Sequence, residues 1–332
     1  MDRIMNYAII LLGIVLTASP AFPRADSLGL VWPPPPDRPR IRHLQTISSF
    51  EAMESGKGFF EKIAGFLFGG NDEQEWLIQP VGIAIGPDGR LFIADPGAHG
   101  IHIVDLAEKE HTFVGQTEYG PFQSPVGIAV APDGTFYISD SERNDIIAMK
   151  DEHETLFRIR THLDRPTGLS VSGGKLHVID TGRHAVVVFD LMGSYLFEFG
   201  HRGAGGGEFN YPVNIAVRDS MFVVDALNYR IQRFDSAGTF GSVFGILGDV
   251  AGRFSSPKAV ALDSDGDMYV TDALMDNIQI FDRAGKLLLI VGQKGSRDGE
   301  FLSPSGIAID SNDRIHVVDA LNRRIQIFQY LK

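Results

Sequence analysis

Between residues 80 and 332 the chain repeats one pattern: a short apolar run, a turn rich in Gly and Asp, a second apolar run, then two more runs with a turn between them. The unit around residue 270 shows it plainly. Ala259 to Leu262 is apolar, Asp265-Gly266 supplies residues suited to a tight hairpin turn, and Met268 to Thr271 gives a second run that Asp272 closes. Asn277 to Asp282 follows, Arg283-Ala284-Gly285 turns the chain, and Leu287 to Val291 completes four predicted strands. Equivalent turns stand at Pro87-Asp88-Gly89, Pro132-Asp133-Gly134, Gly173-Gly174 and Ala237-Gly238.

Two landmarks keep the pattern in phase. A proline opens each unit, at Pro80, Pro125, Pro166, Pro212, Pro257 and Pro304, with spacings of 45, 41, 46, 45 and 47 residues. An aspartate follows 13 to 15 residues later, at Asp95, Asp140, Asp180, Asp225, Asp272 and Asp319. Four-stranded units of about 45 residues bury their sheet faces only against neighbours, as propeller blades do. The sixth copy stops at Lys332 after its third strand, Arg324 to Phe328, and lacks an outer strand. Ile41 to Ile47 alternates apolar and polar residues just ahead of the first unit, and would pair there to close the ring and cover an edge. The expected fold is all-β: a six-bladed β-propeller of four-stranded antiparallel blades, closed by an N-terminal strand over residues 41–47, with one amphipathic helical insertion.

That insertion, residues 50–76, is the one segment that breaks the repeat. Lys57 to Phe68 places Phe59, Phe60, Ile63, Phe66 and Leu67 on one helical face, and Gly69-Gly70 ends the run. By topology it sits on the face that carries the inter-blade loops and the turns between second and third strands. It either folds onto the ring or docks on a membrane surface or a partner protein. Further upstream, Tyr7 to Thr17 is an apolar run too short for the roughly 20 residues that span a bilayer, and Ala18-Ser19-Pro20-Ala21 follows it. Residues 1–25 read as an export signal, cleaved after Ala21 or Ala25, or kept as an anchor because Asp2 offsets Arg3. Residues 26–40, with their run of prolines from Pro33 to Pro36, read as an extended polyproline spacer. A periplasmic or extracellular location is expected, membrane-anchored if the signal is retained.

The landmarks Pro-x-Gly-Ile-Ala, as in Pro80-Val81-Gly82-Ile83-Ala84, then Tyr-Val-x-Asp, then Asn-x-Arg-Ile-Gln-x-Phe-Asp, resemble the NHL-repeat family of six-bladed β-propellers. The matches run from Asp225 through Asn228, Arg230, Ile231 and Gln232 to Asp235, and from Asp319 through Asn322, Arg324, Ile325 and Gln326 to Phe328. The resemblance covers roughly residues 80 to 332 and implies fold more than activity, since similar proteins include RNA-binding domains, metal-dependent lyases and exported bacterial proteins of no known activity. The first two blades depart from the motif, with Ala98-His99-Gly100 and Arg143-Asn144-Asp145 where Asn-x-Arg would stand.

Composition narrows the chemistry. The chain has 332 residues, 44% of them hydrophobic, no Cys and a net charge of −12. The absence of Cys excludes thiol catalysis, disulfides, Cys-ligated zinc or iron–sulfur centres, c-type haem attachment and a lipobox. The acidic balance argues against nucleic-acid binding, which needs clustered Lys and Arg. The six repeated aspartates resemble an acidic ring, yet a feature present in every blade serves the scaffold: each is placed to fix the following turn, with an Arg opening the third strand as its partner. Phe122, Phe209, Phe254 and Phe301 recur just before the prolines and are expected as buried pins.

Residues two after each proline should line the central channel: Gly82, Gly127, Gly168, Asn214, Ala259 and Gly306. Asn214 alone offers an oxygen ligand, whereas calcium takes about six or more. The lyases that resemble this pattern use three His on zinc. His99 and His184 share a position four residues after their blade's Asp, but Asn144, Tyr229, Asp276 and Arg323 stand there in the other blades. His177 and His316 fall in second strands, and His43 and His102 within strands, as packing or exposed residues. The glycine-rich run from His201 to Gly207 precedes a strand and reads as an inter-blade loop. No catalytic residue, metal or cofactor is expected. The sequence points to an exported, monomeric, non-catalytic platform for an envelope protein or small ligand, with no nucleic-acid partner and a membrane-surface contact through the insertion as a further option. Its binding residues would be His99, Arg143, Arg183, His184, Asn214, Tyr229, Asp276 and Arg323, with Phe59, Phe60, Ile63, Phe66 and Leu67 of the insertion. The alternative is a metal-dependent lyase or lactonase-like hydrolase working at the channel.

Overall fold

A computed structural model describes residues 29–49 and 77–332, which form six antiparallel blades arranged as a closed ring, with a two-stranded ribbon, Gln116–Thr117 and Gly120–Pro121, between the first two. The fifth blade is built from Pro257–Leu262, Met268–Asp272, Asn277–Phe281 and Leu287–Val291, in that order from the axis outwards. Its second and third strands are buried at every position, because both faces of the sheet are covered by neighbouring blades. This is why those strands read as nearly continuous apolar runs, whereas outer strands such as Tyr195–Phe199 and Phe240–Phe244 stay largely exposed. The expected helix over residues 57–68 lies outside the described residues.

Six apolar clusters hold the ring, one at each junction between blades. Tyr269 and Ile280 of blade five meet Val317 and Phe328 of blade six, and Ile93 and Val104 of blade one meet Val318 and Ile325 of blade six, so the last junction is sealed like the others. The four expected phenylalanine pins are buried at 0 to 2% exposure in these clusters, and Leu77 takes the same place ahead of blade one. The pins explain three glycines: Gly200, Gly245 and Gly292 have φ of 91°, 91° and 88°, and a Cβ on any of them would run into the ring of Phe209, Phe254 or Phe301. Near the axis the limit is backbone contact. A Cβ at Gly82, Gly127 or Gly306 would collide with the carbonyl oxygen of Val126, Thr167 or Val81 in the next blade.

Closure follows the expected route. Ile41–Ile47 pairs antiparallel with Arg324–Tyr330, from Ile41 opposite Tyr330 to Ile47 opposite Ile325, and so joins the two ends of the chain in one sheet. The proline-rich lead-in departs from expectation. Within the described residues it does not run away from the ring as a spacer; Val31–Trp32 pairs with the closure strand and makes blade six five-stranded rather than four-stranded. The Arg40 amide donates to the Trp32 carbonyl at 2.7 Å, and the Trp32 ring meets Phe328 edge-on at 5.7 Å. Burying Val31 and half of Trp32 favours this return over a hydrated extended chain.

The repeated aspartates are fully buried, and each collects several donors. Asp140 accepts from the Gln123, Ser124 and Arg143 amides at 2.7, 3.0 and 3.3 Å, and Asp180 from the Asp164, Arg165 and Arg183 amides at 2.7, 3.0 and 3.0 Å. Each carboxylate therefore ties the loop entering its blade to the turn leaving its second strand. Blades four and six add side chains: Asp319 accepts from the Leu302 amide, Asn322 Nδ2, Arg324 Nε and Gln326 Nε2 at 2.7 to 3.1 Å. Breaking a buried charge pair costs about 3–5 kcal/mol. Asp319→Ala, which strands the buried Arg324 guanidinium, should lower the unfolding free energy by about that amount in urea titration. Asp133→Ala, at an exposed turn, should change it by under about 0.5 kcal/mol.

Candidate functional site

One face of the ring carries all the turns between second and third strands together with the loops that enter each blade. Every one of those turns closes on a residue four after the buried Asp, and all six residues are left-handed without being glycine: His99, Asn144, His184, Tyr229, Asp276 and Arg323, at φ between 50° and 56°. Fixed backbone at these points fixes the departure of each side chain.

Several of the residues singled out from the sequence reach into the next blade. His99 Nδ1 lies 2.6 Å from the Gln123 carbonyl, His184 Nδ1 accepts from the Tyr211 amide at 3.1 Å, and Asp276 Oδ1 accepts from the Ser303 amide at 2.8 Å. Blades one, three and five thereby clasp blades two, four and six. At the channel, Asn214 Oδ1 accepts from the Val260 amide at 3.0 Å, again across a junction. Arg143 donates to the Pro121 and Tyr119 carbonyls at 2.8 and 2.9 Å, and Arg183 pairs with Glu198 at 2.6 Å. Tyr229 packs half-buried against the cluster between blades four and five, and Arg323 is exposed. Phe59, Phe60, Ile63, Phe66 and Leu67 lie outside the described residues.

The glycine-rich loop has its polar groups engaged within the protein. Arg230, held by Asp225 at 2.8 Å, donates to the Ala204, Gly205 and Glu208 carbonyls, and Gln232 Oε1 accepts from the Gly207 amide at 2.9 Å. Arg324 and Gln326 hold the loop before blade six in the same way. Blade two reverses this arrangement. Asp145 replaces the Arg beside Asp140, and Arg143 supplies the guanidinium 3.4 Å away; burial pushes the Asp145 carboxyl above its usual range, with the Asp140 charge adding to it. Among the described residues, no group of three or more His, Asp or Glu is placed to hold a metal.

A histidine pair was not anticipated. His102 Nδ1 and His111 Nε2 lie 2.9 Å apart with their rings stacked at 5.1 Å, and His102 Nε2 is 3.6 Å from Asp95. The sequence signal is two His flanking the hairpin turn at residues 105–109, but only the register places them on one face. Burial, and then the nearby His102, hold His111 down at about 4. Burial also pushes the Asp95 carboxyl up, but His102 and the Ile78, Gln79 and Ala98 amides outweigh it and hold the group below its usual range.

These directions set an acid response. The unfolded chain protonates His111 near 6.5 and the folded one only near 4, so its contribution to stability is complete above pH 6.5 and falls as the pH drops towards 4. The Asp95 contribution is lost lower, below about 3.8. His43 and His177, also lowered by burial, act in the same sense as His111. His111→Asn should therefore flatten, without abolishing, the loss of unfolding free energy between pH 6.5 and 4. An unchanged slope in urea titrations across that range would show that His111 is not held neutral.

Comparison with known proteins agrees with this architecture. The family described as a 6-bladed beta-propeller, DUF5128, matches residues 160–242 and 256–330, and the NHL repeat matches residues 122–147. The human E3 ubiquitin-protein ligase NHLRC1 is 33% identical over 102 residues, which are 30% of this chain and only 24% of that ligase. Among solved structures, an auxiliary nutrient binding protein from Bacteroides thetaiotaomicron superposes with a TM-score of 0.63 at 16% identity, over 77% of this chain and 70% of that one. Virginiamycin B lyase from Staphylococcus aureus gives 0.55 at 15% identity, over 76% and 95%. At such identities the structural likeness speaks for the fold alone. The matched models and the closed ring of blades make the chain a six-bladed β-propeller in which an NHL repeat is recognised over residues 122–147.

Proposed function

We propose that the protein is a non-catalytic interaction scaffold of the cell envelope, which binds its partner through the turn-bearing face of blades four to six. One observation carries this reading. Leu227, Leu274 and Leu321, each two residues after the buried Asp of its blade, are 49%, 73% and 62% exposed. The fold does not require them, because Gly97, Glu142 and Gly182 occupy the same place in blades one to three. Exposed leucines recurring at one position in three adjacent blades put apolar side chains along one sector of a single face, and large exposed apolar side chains that the fold does not need favour a binding role. The alternative, metal-dependent lyase or hydrolase chemistry at the channel, finds little support in the residues there, where backbone contact demands glycine and Asn214 is engaged by Val260. Export, retention in the envelope and a helical segment within residues 50–76 belong to the same proposal and rest on the sequence.

A photoreactive residue at position 274 of the full-length protein should cross-link a discrete partner in envelope extract. The same residue in place of Met192, which is 76% exposed on the opposite face, should not. Elemental analysis after dialysis should find no stoichiometric divalent ion. Equal cross-linking from both positions, or one tightly held divalent ion per chain, would contradict the scaffold reading.

A further inference from the structure

The loops entering blades four, five and six share one conformation. The Gly203, Gly248 and Gly295 amides donate to the carbonyls of Phe209, Phe254 and Phe301 at 2.9 to 3.0 Å, and the Phe amides donate back to the carbonyls of His201, Ile246 and Gln293 at 2.8 to 3.0 Å. A third-strand glutamine spans each loop. Gln232, Gln279 and Gln326 accept from the Gly207, Gly252 and Gly299 amides at 2.8 to 2.9 Å and donate to the Glu208, Arg253 and Glu300 carbonyls at 2.6 to 2.7 Å. Inside this frame blades four and six place a guanidinium. Arg230 lies 2.8 Å from Asp225 and 2.7 to 2.9 Å from the Ala204, Gly205 and Glu208 carbonyls. Arg324 lies 2.7 Å from Asp319 and 2.7 to 2.8 Å from the Ser296, Arg297 and Glu300 carbonyls. Blade two, where Asp145 stands at this position, brings Arg143 to its loop carbonyls instead.

Blade five keeps the frame and lacks the arginine. Asn277 pairs with Asp272 in the register that sets Arg230 against Asp225 and Arg324 against Asp319, and it shares a strand face with Gln279, which touches the loop. Asn277 is 8% exposed, and its Oδ1 has no hydrogen-bond partner among the described residues. Met275, at the place of Asn228 and Asn322, puts its sulfur 3.6 Å from Gln279 Nε2 and supplies no positive charge. Asp272 Oδ2 accepts from the Ser255 amide, whereas Asp225 Oδ2 takes three side-chain donors, the Arg230 guanidinium among them. By correspondence with blades four and six, the Asp272 carboxylate, the Asn277 oxygen and the carbonyls of Asp249, Val250 and Arg253 surround the place where those blades hold a cation. We infer that blade five binds a monovalent alkali cation, sodium or potassium, among these oxygens in place of the guanidinium. Buried oxygens of this kind are costly without a counter-charge or donor, and they are the ligands that hard cations take. Charge selects the ion: one carboxylate with neutral oxygens matches the single charge of a guanidinium, whereas tight calcium sites gather several carboxylates.

The test uses the full-length protein in sodium, potassium or choline chloride at one ionic strength of about 0.15 M. Choline replaces the charge without fitting among the oxygens. In sodium or potassium the Gly248 and Gly252 amides should exchange about tenfold more slowly than in choline, the change that follows when the ion stands about ninefold above its Kd. Gly203, Gly207, Gly295 and Gly299, in the loops that carry an arginine, are internal controls and should not respond. Asn277→Arg, which supplies the charge covalently, should give the slow rate in all three salts, and Asn277→Leu, which removes the oxygen, the fast rate in all three. Sodium-23 relaxation should be enhanced by the unsubstituted protein and not by either variant. Rates at Gly248 and Gly252 that are equal in the three salts, or that change together with those of the four control glycines, overturn the inference, and this comparison stands without either variant. So does a requirement for calcium that sodium and potassium do not meet.

Discussion

A buried carboxylate at the end of every second strand is the constraint on which the rest depends. Taking that charge out of water is tolerable only if donors replace the lost hydration, and each blade brings those donors from two places at once. The entering loop contributes amides such as those of Ser255 and Ser256, and the leaving turn contributes others such as those of Leu274 and Met275. Loops that would otherwise fray are thus bound into the folded core. In blades four and six, Arg230 and Arg324 carry the same connection further, spanning from the aspartate to the carbonyls of the entering loop. The face that bears the exposed leucines is rigid because of what lies beneath it.

The ring is held between blades by a different set of contacts. Sheets pack through apolar clusters, first strands touch backbone to backbone at the glycines, and side chains bridge what remains. Ser139 Oγ donates to the Thr167 carbonyl and Thr271 Oγ1 to the Ser305 carbonyl, both at 2.6 Å, so blades two and five each hold the next. His99, His184 and Asp276 supply corresponding clasps at the outer side of three junctions. The strand pairing of residues 41–47 with Arg324–Tyr330 of the last blade then closes the ring with main-chain hydrogen bonds between segments far apart in sequence. That arrangement is consistent with stability in a chain without Cys.

Much of this was legible because it repeats. Proline and aspartate at a fixed interval, the missing outer strand of the last blade and the phenylalanines before the prolines are periodic features, and period is what a sequence shows most directly. The pairing of Asp225 with Arg230 and of Asp319 with Arg324 was readable from spacing alone. Features that break the period were not. His99 and His184 share a position in sequence and read there as surface residues of a binding face; in space they meet carbonyl or amide partners more than 20 residues away. A left-handed turn closing on His, Tyr, Asp or Arg gives no glycine to announce it. The prolines before residue 40 suggested an extended spacer, while two apolar residues, Val31 and Trp32, decided the path by burial. The leucines two after Asp225, Asp272 and Asp319 were visible as a repeat, but only their exposure separates them from core residues.

Amide hydrogen exchange tests the central claim most directly, because it reports protection residue by residue in loops that lack regular strand pairing. The amides that donate to the buried aspartates, including those of Gln79, Gln123, Arg165, Asn210, Ser255 and Leu302, should exchange as slowly as the second strands, opening only with global unfolding. Exchange of these amides at the rate of an exposed hairpin turn such as residues 191–194, while the strands remain protected, would show that the carboxylates do not hold the face together.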